Sequence, residues 1–303
     1  MKNNIYGILG VEAINSSWNN DFDGMPKTDG NGVIKGSPYA LEYVIKRLWD
    51  SKGEKVLGLK TKDENKGNWM TLEGKYNYLF EEIKKKTTQQ EVLENLMSCI
   101  DCKNFGVVFA KKDYNFGVRG VVQISDGINV WEDTNVTTET ILSPYTNSNK
   151  DTSSMTTNGT RTLTDEAHYL YPFTITPNCY DEFSNIEYSE EDYENFKETS
   201  LKAVTLYNSK TKAGCKNEFG LFIKVKEEYK YQLALGDLTQ YVKVYKSEDN
   251  KVTYDLTGLN SLLNECKDKI ETIELYYRRL KNEVIGLDLE EVKRFDIITG
   301  KEF

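Results

Sequence analysis

Residues 134–161 form a stretch too long for an ordinary connection and too polar for a core element. Of its 28 residues, 17 are Thr, Ser or Asn, and only Glu139, Lys150, Asp151 and Arg161 are charged. Compact domains rarely carry so long a loop without a use for it, and its low hydrophobicity keeps it from burying itself. Its threonines favour extended pairing if something receives it, and it lacks the repeated Gly of a flexible tether. It follows FGVRGVVQIS, Phe116 to Ser125, which reads as a strand. The expectation is a sheet from which a long element reaches toward a neighbour or a polymer.

With 303 residues the chain can hold one large domain or two ordinary ones, and 38% hydrophobic content suffices for a packed core at this length. The net charge of −9 argues against a generic polyanion binder. The charge is segregated, however. Residues 35–62 hold seven Lys or Arg against Glu42, Asp50 and Glu54, and Lys210, Lys212 and Lys216 lie in an acid-free segment, 205–217, after the acidic run 181–198. Five scattered Cys suit a reducing cytoplasm. No signal peptide is read at the N-terminus, and no apolar run approaches the ~18 residues of a membrane span.

Ile5–Ile14 reads as a buried strand in which Gly7 and Gly10 allow close approach. Ser37-Pro38 opens a helix with Leu41, Val44, Ile45 and Leu48 on one stripe and Lys46 and Arg47 off it, toward solvent. Residues 54–87 are an insertion. Thr88 with Glu91 makes a capping box before a helix that buries Leu93, Leu96, Met97 and Ile100. Alternation in FGVRGVVQIS puts Arg119, Val121, Gln123 and Ser125 on one face, a polar surface fit to meet a ligand. His168–Ile175 reads as a strand. Ser189 with Asp192 caps a helix carrying Tyr193, Phe196, Val204 and Tyr207, and Phe219, Leu221, Ile223 and Val225 mark a final core strand. The order of strand, helix, strand, strand, helix, strand makes the chain α+β, a modified ferredoxin-like or RNA-recognition domain with insertions. Leu263, Cys266, Ile270, Ile273, Tyr277 and Leu280 read as one helix stripe packed on its own domain.

Catalytic signals are sparse. His168 is the one histidine and lies in an apolar strand, where a hydrogen-bonding role is expected; no nucleophile or acid partner accompanies it. Cys99-Ile-Asp-Cys102 is a lone CxxC without a second ligand pair. No phosphate-binding glycine motif occurs. Neither a metal nor another cofactor is expected.

Seven segments in order carry a resemblance: IYGILGVEAINS (5–16), NNDFDGMPKTDGNG (19–32), YALEYVIKRLW (39–49), DCKNFG (101–106), VRGVVQIS (118–125), SEEDYENFKETSLKAV (189–204) and SKTKAGCKNEFGLFIKV (209–225). Together they resemble the backbone subunit of the type I CRISPR surveillance complex, most closely subtype I-B. The resemblance implies one RNA-recognition-like palm over 1–303, with a finger-like insertion at 54–87 and a thumb hairpin at 126–161. It implies copies stacked head to tail along a CRISPR guide RNA that pairs with target DNA, other subunits of the complex as partners, no membrane and no cleavage by the subunit itself.

Holding any guide sequence calls for contacts to phosphate and sugar rather than base edges. The residues assigned to guide RNA are Asn15, Lys27, Lys46, Arg47, Arg119, Gln123, Met155, Arg161, Lys210, Lys212 and Lys216, with Met155 as an apolar wedge in the thumb. Two other readings are a guide-processing endoribonuclease on a related fold, and a protein-interaction module without nucleic acid, suggested by the negative charge.

Overall fold

The computed structural model describes residues 1–63, 67–84, 86–142, 158–249 and 251–303. In chain order the elements are β1 (Ile5–Ser16), β2 (Lys35–Gly36), α1 (Pro38–Ser51), α2 (Leu72–Leu79), α3 (Gln89–Met97), α4 (Ile100–Phe105), β3 (Gly106–Lys111), β4 (Tyr114–Arg119), β5 (Val122–Ile124), β6 (Gly127–Asn129), β7 (Val136–Leu142) and β8 (Asn158–Ile175). There follow α5 (Glu190–Ser200), α6 (Ala203–Leu206), β9 (Cys215–Val225), β10 (Lys243–Lys246), β11 (Val252–Asp255), α7 (Thr257–Glu265), β12 (Ile270–Tyr277), β13 (Asn282–Ile285) and β14 (Val292–Asp296). The chain is therefore α+β, as expected.

The main sheet runs β14-β12-β9-β1-β8-β6-β2, with β5 and β7 also paired to β8. Central β1 lies antiparallel to both β8 and β9 and is buried on both faces. Leu9, Val11 and Ala13 point to a core with Leu41, Val44 and Ile45 of α1 and Tyr193 and Phe196 of α5. Tyr6 and Ile8 point to a second core with Phe219, Leu221 and Ile223 of β9 and Leu259 and Leu263 of α7. Close approach requires glycine at position 7, where a Cβ would stand 2.3 Å from the Phe173 ring. Both predicted capping boxes form, Thr88 with Glu91 and Ser189 with Asp192.

Three readings are corrected. FGVRGVVQIS is not one strand. Gly120 presses on the backbone of Phe105 and Gly106, 2.2–2.3 Å from where its Cβ would be, and the chain changes sheets there. β4 pairs with β3 and β5 with β8; Val121 and Val122 are both buried, so the proposed polar face does not exist. Second, the stripe from Leu263 to Leu280 is not one helix. α7 ends at Glu265, and Ile270–Tyr277 is β12, between β9 and β14. The β-branched and aromatic run ETIELYY outweighs the helical spacing. Third, β9 is not the last core strand, since β12 and β14 extend the sheet beyond it.

The polar stretch does pair with itself. β7 and the outer part of β8 form a hairpin, Val136 opposite Thr164 and Leu142 opposite Asn158, and all seven β7 residues are exposed. The pairing of β8 with β1 ends at Ser16–Thr164, so the hairpin leaves the sheet at that point.

Candidate nucleic-acid interface

Where the hairpin leaves the sheet, three segments distant in sequence meet. The first is the end of β1, where exposed Asn15 takes a left-handed conformation, φ 46°, which Asn tolerates better than most residues. The second is the 209–214 loop. It is tied down rather than free: Ser17 N donates to Thr211 O at 2.9 Å and Ile14 N to Gly214 O at 3.1 Å. Gly214 is required there, since a Cβ would lie 1.9 Å from the Ile14 carbonyl. The third is Arg161 on β8, whose guanidinium lies 3.5 Å from the Lys210 carbonyl while its buried Nε has no hydrogen-bond partner.

Just before this loop, Tyr207 touches the exposed side of α1. Tyr43, Arg47 and Asp50 project there at i, i+4 and i+7. Tyr43 meets Tyr207 edge to face, ring centres 5.6 Å apart, and Arg47 approaches Asp50 at 3.8 Å. A belt thus runs from Arg47 through Tyr207 and exposed Lys210 to Arg161 and Asn15. Its cations converge on a surface of exposed polar side chains and can neutralise phosphates.

Other assigned residues have different places. Lys212 is a latch: its ammonium donates to the Trp18 carbonyl and sits 4.6 Å from the centre of the Trp18 ring, and burial lowers its pKa. Lys46 does not project into solvent. It pairs with Glu42 at 3.0 Å, lies 5.1 Å from the centre of the Phe105 ring, and is only 18% exposed. Arg119 donates to Thr176 at 3.2 Å and Gln123 to the Gly120 and Val122 carbonyls. Both lie at the other end of β8, separated from Arg161 by roughly 50 Å of strand at 3.3 Å per residue. Lys27 lies in the loop between β1 and β2, its backbone bound to Asn19 and Lys35, and is not brought against the belt residues. Lys216, half-buried on β9, is in register with Glu12. Met155 lies outside the described residues.

The sequence pattern of the family described as CRISPR-associated protein Cas7 matches residues 3–258. The chain belongs to the Cas7 family. Among curated proteins, none matches it by sequence. Its fold is similar to that of a chain in "CRISPR RNA-guided surveillance complex, pre-nicking", with a TM-score of 0.57 at 11% identity over 96% of each chain. A second chain, from "CRISPR RNA-guided surveillance complex", gives a TM-score of 0.46 at 12% identity over 92% of this chain and 94% of that one. Among the described residues, no helix is long and apolar enough to cross a membrane.

In this Cas7 chain the histidine is a structural group. His168 is fully buried, its Nδ1 2.8 Å from Glu218 and its Nε2 3.1 Å from Glu166. Burial alone would lower its pKa, but the Glu218 carboxylate, helped by Glu166 and Glu12, raises it to about 9. Glu12 is buried beside His168 and Glu218 and is held by Arg278 and Lys281. These three acidic and imidazole groups could ligate an ion by distance, yet cationic side chains already neutralise them. In the CxxC, Asp101 accepts from the Leu57 and Gly58 amides at 2.9 and 2.7 Å. A hydrogen bond with Cys99, and then burial, push the Cys102 thiol up. The Asp101 carboxylate pins the start of the 54–87 insertion to α4.

Sequence reasoning misses the aromatic members of the belt, Tyr43 and Tyr207. Tyr43 is exposed yet lies next to the core stripe of α1, and that is the available signal. Tyr207 reads as part of a helix that in fact stops at Ser200.

Proposed function

We propose that this chain is a non-catalytic backbone subunit that binds a CRISPR guide RNA, stacks head to tail with further copies along it, and presents it for pairing with target DNA beside the other subunits of a type I surveillance complex, subtype I-B. The observation that carries this reading is the belt at the hairpin's base. Arg161, Lys210 and Arg47 come from three separated segments, and their cationic heads suit phosphate, which every sequence carries. A subunit that must accept every guide needs that property.

Membership of the Cas7 family supports the same reading. The strand order β9-β1-β8-β5, with α1 and α5 packed on one face, supports a ferredoxin-like or RNA-recognition palm. The self-paired, exposed β7–β8 hairpin supports a thumb within 126–161, with Met155 as its wedge, and the segment anchored by Asp101 supports a finger at 54–87. A subunit whose head fits the tail of the next copy without closing a ring forms a filament. Engagement of both His168 nitrogens by carboxylates supports a role without cleavage, and five unpaired cysteines support a reducing, cytoplasmic setting.

The test is the nucleic-acid content of the purified protein together with its size by light scattering, before and after a synthetic guide RNA is added. Ordered growth in size with guide, weakening steeply with salt, is expected. A monomer that ignores the guide at low salt would sink the proposal.

A further inference from the structure

Between α1 and α6, at one end of the belt, lies a cavity of about 270 Å³ whose walls include Val44, Arg47, Leu48, Ala203, Tyr207 and Asn208. We propose that it holds one nucleobase of the bound single strand, an inference that rests on the RNA-binding reading above.

Its chemistry fits a flat, partly apolar ring with polar edges. Val44, Leu48 and Ala203 make an apolar floor. Tyr207 lines the cavity and is half-buried, packed edge to face with Tyr43 at an interplanar angle of 81°, and brings an aromatic ring to the wall where a base could stack. Base–aromatic stacking is indifferent to sequence because every base has a π-face. Around it, Asn208, Ser51 and Asp50 offer donors and acceptors, and the Arg47 guanidinium can stack or meet a phosphate. A few polar groups converging over an apolar floor characterise small-ligand sites.

The wall is built, not incidental. The short helix α6 is pinned by Asn217, a buried side chain whose carbonyl accepts from the Val204 and Thr205 amides at 3.0 and 3.2 Å and whose amide donates to Ser200 O at 2.7 Å. Arg278 in turn donates to the backbone carbonyl of Asn217 at 3.0 Å. Tyr207 therefore keeps its place without ligand. Three residues on, Lys210 begins the cationic part of the belt, so a base in the cavity leaves its backbone beside Lys210 and Arg161.

The test compares a short single-stranded RNA with the same strand carrying abasic nucleotides at successive positions, by fluorescence anisotropy with the full chain. One abasic position should weaken binding roughly tenfold, the scale of a single base–aromatic stack. Tyr43→Leu with Tyr207→Leu, which keeps apolar bulk, should weaken binding of the intact strand about as much. It should weaken binding of the abasic strand no further and keep the same salt dependence. Tyr207→Phe, which keeps the ring, should recover most of the binding that Tyr207→Leu loses. Equal binding of intact and abasic strands, with Arg161→Ala still lowering the salt dependence, would overturn the base pocket and leave the RNA-binding reading standing. The same holds if the Leu variant binds RNA normally but changes assembly length, which would make the cavity a protein contact. Failure to bind any strand would remove both.

Discussion

The guanidinium of Arg161, on the outgoing strand of the hairpin, lies 3.5 Å from the backbone carbonyl of Lys210, 49 residues away in sequence. This approach joins the hairpin's base to the loop after α6. Lys210 remains exposed, while Arg161 is half-buried with its Nε enclosed. Arg161→Ala with Lys210→Ala is expected to weaken RNA binding evenly across sequences. The salt slope should fall by about 0.7 for each phosphate no longer neutralised, so by about 1.4 for the pair. Lys210→Ala alone should leave the melting temperature within a degree or so, since Lys210 is exposed, whereas half-buried Arg161 contributes any loss seen in the pair. Titrations over a salt series check this; an unchanged slope removes both residues from the interface.

Lys46 and Arg47 are neighbours with opposite fates. Lys46 neutralises Glu42, whose pKa burial raises and Lys46 pulls back down, with Asp101 close by as a second negative charge. Lys46→Ala leaves a partly buried carboxylate without its partner and is expected to cost about 1–3 kcal/mol of stability. Arg47→Ala should leave stability alone and lower RNA affinity. Thermal melts and binding curves on the two single variants separate these effects, and equal effects from both would refute the division.

Much of the scaffold is legible in the sequence because local chemistry agrees with tertiary packing. The apolar stripe of α1, the two capping boxes, the glycines of β1 and the hairpin-forming threonines each point to one outcome. Sequence reasoning fails where distant neighbours decide. Nothing local in RGVV says that Gly120 presses on Gly106, so simple alternation puts Arg119 and Gln123 on a face that the chain's crossing removes. Nor does the spacing of Ile270, Ile273 and Tyr277 reveal that β9 offers an open edge, which turns a helical stripe into a strand. Within the site, the convergence of Asn15, Arg161 and Lys210 depends on where β8 parts from β1, a register fact. Lys212 is plainly basic in the sequence, but its role as a latch is hidden there, since its partner Trp18 is nearly two hundred residues away.

His168 should make stability depend on pH in a specific direction. Its pKa is raised from 6.5 to about 9 in the folded chain. The protonated ring between Glu218 and Glu166 therefore stabilises the fold fully below pH 6.5, and the contribution is lost as pH rises through about 9. Melting temperature is expected to fall over that window, and His168→Gln should flatten the fall while lowering stability at neutral pH. Should the variant keep the parent's pH profile, other groups carry the dependence. Neither protein should cleave RNA; cleavage abolished by the substitution would favour the endoribonuclease.

The hairpin should matter for assembly and little for folding. All seven β7 residues are exposed, whereas buried Thr162, Leu163 and Thr164 anchor the base of β8. Replacing residues 139–160 by a two-residue turn keeps the Val136–Thr164 and Thr138–Thr162 pairs, so the sheet should remain closed at that edge. A cooperative melt close to the parent's is expected, with RNA binding reduced but present through Lys210 and Arg47. Growth of ordered filaments on guide RNA, read by light scattering, should cease, because the exposed hairpin that leaves the main sheet is gone. Filaments of normal length from the shortened chain would show that stacking uses another surface and would end the thumb assignment.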